Sequence, residues 1–369
     1  MRIAGAGLVL LVAVSAAGSA RSADITRVAG RGTEGFGGDG GPATEAALGG
    51  WLNIAVDPRG NLLVSDLFNQ RVRRVDAASG RIETIAGTGT RGFAGDGGPA
   101  TAARLGRIQG IAVDGAGNLY IADTENFRVR RVDAATGRIR TLAGNGGMGI
   151  SWVWIGDGHL ATRAAIQKPT ALAVDGAGGL FIAGWFSGRI WRVALAGGTM
   201  ETIAGNGIPG VAGDGDLAVA AQIDSLVSLA TDRAGNLYVA ETDGHRIRRI
   251  DAGSRRIVTV VGTGRAGFSG DGGPAGKAEL RHPTGIAVDA AGNLWIADHG
   301  NHRIRRVDAK TGIITTVAGS GANDCRGRGG AALEMAICPE NLAVDHRGRV
   351  YFTDTGAGPI VLALQAPPA

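Results

Sequence analysis

Within the 369 residues, 38 Lys and Arg stand against 33 Asp and Glu, a net charge of +5 that falls to +4 once Arg2 is discounted. So small an excess, spread over the whole chain, argues against a nucleic-acid-binding face. Glycine is 65 of 369 residues without a three-residue period, which excludes a collagen-like rod and marks recurrent turns instead.

The first 20 residues have a charged start at Arg2, a short apolar centre over Leu8 to Val14 and small residues to Ala20. That is the pattern of a secretory signal, with cleavage expected near Ala20 and residues 21–369 forming one domain. The centre is too short to span a bilayer, and no later apolar run is long enough. The expected product is therefore secreted or periplasmic, with no membrane span.

Ile25 to Gly30 reads as a single strand, and from there the chain repeats itself. The clearest copy runs from Gly285 to Gly319, with four strand-length apolar runs at Gly285 to Asp289, Leu294 to Asp298, Arg303 to Asp308 and Ile313 to Gly319. The short Gly- and Asn-containing links between them suit tight antiparallel hairpins. The Asp that ends each first run recurs at Asp57, Asp114, Asp175, Asp232, Asp289 and Asp345, so there are six units. A lone four-stranded meander cannot cover both of its faces, and six in series predict an all-β, six-bladed β-propeller of four-stranded antiparallel blades. The last unit stops after a third strand at Ile360 to Leu364, so the strand at Ile25 is expected to complete it and close the ring.

Ahead of each first strand lies a long loop, in its clearest form Gly92-Phe93-Ala94-Gly95-Asp96-Gly97-Gly98-Pro99-Ala100. An Asp-Gly-Gly-Pro turn before an Ala-rich segment predicts one or two helical turns with Pro in the first position. These loops and the second-strand exits open on one face of a propeller. On that face Asp66, Asp123, Glu241, Asp298 and Asp354 would form an acidic ring suited to a hard cation such as calcium. Alternatively each carboxylate accepts from backbone amides and from Arg71, Arg128, Arg246 or Arg303 a few residues on, and no cofactor is required.

The third unit departs furthest from the template. Its long loop carries Trp152 and Trp154, and its second-strand exit carries Trp185 and Phe186 where other units have Asp and Asn. Clustered aromatics on the loop-rich face predict a contact surface for a protein or a glycan; the alternative is that they pack on one another. The sixth long loop has lost its Asp-Gly-Gly turn and holds both cysteines, Cys325 and Cys338, read either as a disulfide closing that loop or as two inert buried thiols.

The alternation of GFxGDGGPA, GIAVDxxGNLYIAD, NxRIRRVD and TGxIxTVAG resembles the NHL-repeat propellers, in particular the teneurin-type repeats of bacterial exported proteins. The resemblance implies a six-bladed ring and leaves function open among binding modules, sensors and metal-dependent enzymes. The amidating lyases of that group hold zinc through His residues at inner-strand entrances. The matching positions here are Leu52, Gln109, Thr170, Val227, Thr284 and Glu340, and none is His. The six His are scattered over loops. A non-catalytic, monomeric module that binds a protein or glycan partner is thus expected, with a metal-dependent lyase or lactone hydrolase at the tunnel mouth as the alternative.

Overall fold

The computed structural model describes residues 23–148, 156–185, 187–327, 329–356 and 358–365. Four-stranded antiparallel sheets form blades 1 to 5 in strict sequence order, with inner strands at Leu52–Val56, Ile108–Val113, Pro169–Val174, Leu226–Thr231 and Pro283–Val288. Blade 6 starts at Pro339–Val344, continues through Val350–Asp354 and Ile360–Leu364, and takes Asp24–Ala29 as its fourth strand, with Ile25 opposite Leu364 and Arg27 opposite Leu362. The expected six-bladed ring and its closure by the N-terminal strand are both observed. A two-residue strand from the sixth long loop, Gly330–Ala331, covers the outer edge of that closing strand.

The core is divided rather than central. Six clusters of buried apolar side chains each lie between two neighbouring blades, for example Leu63, Val72, Leu105 and Ile121 between blades 1 and 2. Each blade therefore buries its faces only against its neighbours, as expected for units that are not stable alone.

Among the described residues the structure contains no α-helix. The Ala-rich segments after the first five long loops each form a single 3-10 turn, as at Ala100–Ala102, and Pro99 sits one position ahead of it in extended geometry. The shorter turn follows from register: Ala100 N donates to Gly137 O, Ala103 N closes the turn onto Ala100 O, and the chain leaves at once for the next inner strand. Gly87, which ends a fourth strand at φ +90°, donates to Ala100 O; a Cβ there would stand 2.2 Å from Gln70 O. No side chain fits that approach.

The long loops are fastened to the blades by buried arginines. Arg130, fully buried, reaches Asp96 of its own unit's long loop at 2.6 Å and Asp123, at the end of the second strand, at 3.3 Å. Arg73, Arg248 and Arg305 repeat the arrangement with Asp39 and Asp66, Asp214 and Glu241, and Asp271 and Asp298. This corrects the expected partner. Asp66, Asp123, Glu241 and Asp298 pair with the second arginine after them, and the first spends its guanidinium on carbonyls and on the loop phenylalanine. Thus Arg128 donates to Asn126 O and Asn145 O and lies 3.9 Å from the Phe93 ring. Only Arg246 pairs as expected, with Glu241 at 2.5 Å. Two residues apart on one strand, Arg128 and Arg130 share a face and both lie over Phe93, so position along the strand decides: Arg130 is buried beneath the loop, and Arg128, at the strand's start, is only part-buried beside it.

Candidate functional site

The inner strands enter the ring from the loop-rich face, and their first residues set the rim of a central opening. A cavity of about 210 Å³ is lined there by all six entrance positions, Leu52, Gln109, Thr170, Val227, Thr284 and Glu340, together with Trp51, Leu67, Trp185 and His299. Below it Asn53 and Asn341 narrow the passage: Asn53 Nδ2 donates to Asn341 Oδ1 at 3.0 Å, and Asn341 Nδ2 donates to Leu52 O at 2.8 Å. A smaller void of about 50 Å³ continues between Ile54, Gly110, Ala171 and Ser228.

Much of the rim's polarity is used to join blades. Thr170 Oγ1 donates to Leu226 O and Thr284 Oγ1 to Glu340 O, each onto the next inner strand. The residue after the second strand makes a parallel link to the next blade's entrance proline: Thr124 to Pro169 O, Thr242 to Pro283 O, and His299 to Pro339 O at 3.1 Å through Nδ1. A carbonyl can only accept, so Nδ1 of His299 carries its proton and the imidazole stands in for a threonine hydroxyl. Burial pushes the Glu340 carboxyl above its ordinary range, against a 2.7 Å hydrogen bond from Thr355 Oγ1 and the nearby His299.

The carboxylates of the acidic ring are turned away from the opening and consumed. Asp123 is fully buried and accepts from Gly106 N, Asn126 Nδ2 and Arg130, and Asp66 and Asp298 have the same partners in their own blades. Asp354 accepts from Cys338 N and Gly356 N.

Of the aromatics singled out in the third unit, Trp152, Trp154 and Phe186 lie outside the described residues. Trp185 is half-buried on the rim, held by a bond from its amide to Lys168 O, whereas Trp191 is core. The sequence reading missed Trp51. It is 60% exposed, stands beside the same opening from blade 1, and has a left-handed backbone (φ 59°). Its signal was present: an exposed Trp directly ahead of an inner strand, where other units have Arg107, Lys168 or His282. The two cysteines form the Cys325–Cys338 disulfide, with Cα atoms 5.3 Å apart, across the sixth long loop.

Comparison with known proteins matches the Teneurin NHL domain over residues 77–266 and 260–325. The chain is 29% identical over 315 residues to protein SUPPRESSOR OF QUENCHING 1, chloroplastic, of Arabidopsis thaliana, covering 82% of this chain and 29% of that protein. It is 28% identical over 296 residues to Mus musculus teneurin-4, covering 71% of this chain and 10% of that one. The chain thus spans less than a third of either relative. Among solved structures, an auxiliary nutrient binding protein from Bacteroides ovatus superposes with a TM-score of 0.66 at 15% identity, over 93% of this chain and 76% of that one.

Proposed function

Because the chain belongs to the Teneurin NHL family, whose model covers more than half of it, we propose that it is an exported, non-catalytic, monomeric propeller that binds a protein or glycan partner at the mouth of its central tunnel. The observation that carries this reading is that Trp51 and Trp185 both line an opening whose six entrance positions offer amide, hydroxyl and aliphatic groups with a single carboxyl. Aromatic faces over an amide-lined hollow suit sugar rings or a peptide side chain, which stack on the indoles and hydrogen-bond below. Such a rim is a weak metal site, since three or more inward ligands are needed. The leader read in residues 1–20 and the disulfide support export.

The test is a glycan array and a panel of extracellular-matrix and cell-surface proteins, probed with the full chain and with Trp51→Ala and Trp185→Ala. Hits made through the mouth weaken more than about tenfold in both variants while the unfolding midpoint of Trp51→Ala stays within about 1–2 °C of wild type. Binding that ignores both substitutions would move the surface elsewhere. One tightly held ion per chain, with lyase or lactonase turnover abolished by Glu340→Gln, would instead establish the metal-dependent enzyme.

A further inference from the structure

At the junction of blades 5 and 6 the fold gathers three side chains that the sequence keeps apart. His302 lies in the turn leaving the second strand of blade 5, Cys325 in the sixth long loop, and Cys338 immediately ahead of the inner strand of blade 6. His302 Nδ1 is 3.3 Å from Cys338 Sγ and 3.8 Å from Cys325 Sγ. Their three donor atoms all fall within 4.8 Å of one another, the one such group of His, Cys, Asp or Glu among the described residues.

The three backbones are held by contacts that do not depend on the sulfur–sulfur bond. His302 adopts a left-handed conformation (φ 55°), with its amide donating to His299 O at 2.9 Å. Cys325 is also left-handed (φ 48°) and packs on Gly356, where a Cβ would fall 2.0 Å from its own. The Cys338 amide is bound at 2.9 Å by the buried Asp354 carboxylate. Opening the disulfide would therefore leave both sulfurs and the imidazole converging. The preceding junction shows what the repeat does without cysteines. There the same two positions are His245 and His282, and His245 Nδ1 is occupied by the His282 amide at 3.2 Å. At His302 the ring nitrogen faces sulfur instead.

We propose that this junction is a zinc site masked by its own disulfide: once Cys325–Cys338 is reduced, the two thiolates and His302 Nδ1 hold one Zn²⁺. Tetrahedral zinc, with Zn–S about 2.3 Å and Zn–N about 2.0 Å, places sulfur and nitrogen about 3.5 Å apart. The observed 3.3 and 3.8 Å bracket that spacing. The sulfurs must separate from bonding distance, which rotation of two side chains on Cα atoms 5.3 Å apart allows. Two thiolates neutralise the dication, as a site formed by buried Cys325 and Cys338 requires. The fourth position is left to water or an incoming ligand. The redox step is a two-electron exchange in which a dithiol reductant gives two electrons and two protons, the protein disulfide becomes two thiols, and the reductant becomes a disulfide. Metal binding then releases both thiol protons, and zinc stays divalent. The inference is independent of the ligand proposed for the tunnel mouth.

The experiment titrates zinc into the full chain, oxidised and after reduction by a dithiol and anaerobic desalting, against a chromophoric chelator, with Co²⁺ as the spectroscopic probe. The reduced chain is expected to bind one zinc and to show thiolate-to-cobalt charge transfer, and the oxidised chain to do neither. His302→Gln is the informative variant, because Gln70 holds the equivalent turn in blade 1 with φ 47°. It keeps both cysteines, so its oxidised form reports folding, and its reduced form should bind zinc more than about tenfold more weakly. Cys325→Ser should abolish the cobalt band. No zinc on the reduced chain, equal binding by the oxidised chain, or wild-type affinity in a folded His302→Gln would each overturn the proposal.

Discussion

Arg130 shows how a charge can be taken wholly out of water and still be tolerated. It has no exposed surface, yet two carboxylates and the Ala94 carbonyl receive its N–H groups. Replacement by Met keeps the stem and strands the buried Asp123, so a loss of about 3–5 kcal/mol is expected in urea unfolding. Arg74, paired with Glu83 in solvent, should lose at most about 1 kcal/mol on the same change. Asp298 carries the matching pH signature. Burial pushes its carboxyl up from 3.8 to about 6, against the Arg281 amide, Asn301 and Arg305. An unfolded carboxyl ionises near pH 4, so between about pH 4 and about 6 the folded chain holds a proton that the unfolded chain has lost. Through this group stability falls as pH rises across that window. Asp298→Asn should flatten that fall in a plot of unfolding midpoint against pH. The difference between the two proteins cancels the opposite contribution of carboxyls such as Asp76 and Asp133, which hydrogen bonds from Ser79 and Thr136 hold low.

A blade is best seen as a meander with a strap, the strap being its long loop. Phe93, Asp96 and Pro99 each touch the blade through a different device: a guanidinium over a ring, an ion pair to a buried arginine, and a bridge to Arg138. Gly87 ends the fourth strand where no Cβ fits, so Gly87→Ala should destabilise by more than the about 1 kcal/mol of an ordinary glycine replacement, read as a lowered denaturant midpoint with unchanged slope. Most of this element was readable in the sequence, because hairpin links and apolar runs are local signals that each unit repeats. The Asp57–Asn61 pair shows why: Asn61 donates to Asp57 and its carbonyl oxygen accepts from Ala77 N, so the motif is its own explanation. What escaped was the choice between two arginines two residues apart, since both share one motif and one face of the strand, and only their depth beneath the long loop separates them. The sites escaped for a similar reason. Trp51, Trp185 and Glu340 come from blades 1, 3 and 6, and His302 meets the cysteines only through the packing of blade 5 against blade 6. Repetition reveals what every unit shares and is silent on which side chains the ring brings face to face.

The whole molecule is a closed circle of six interfaces, and its integrity rests on one non-local seam. Removing Asp24–Ala29 would leave Ile360–Leu364 as an uncovered edge. The shortened chain should unfold over a broader denaturant range and self-associate in light scattering, whereas the intact chain remains monodisperse. That seam also sets a timetable. The strand that holds Ile25 is synthesised well before the partner that holds Leu364. At roughly 5–20 residues per second, it waits on the order of tens of seconds while five meanders assemble from neighbours already made. Five of the six blades can thus form from neighbouring strands as they are made, but the circle closes only when Ile360–Leu364 arrives, and until then the chain carries an open strand edge that something has to keep from the wrong partner.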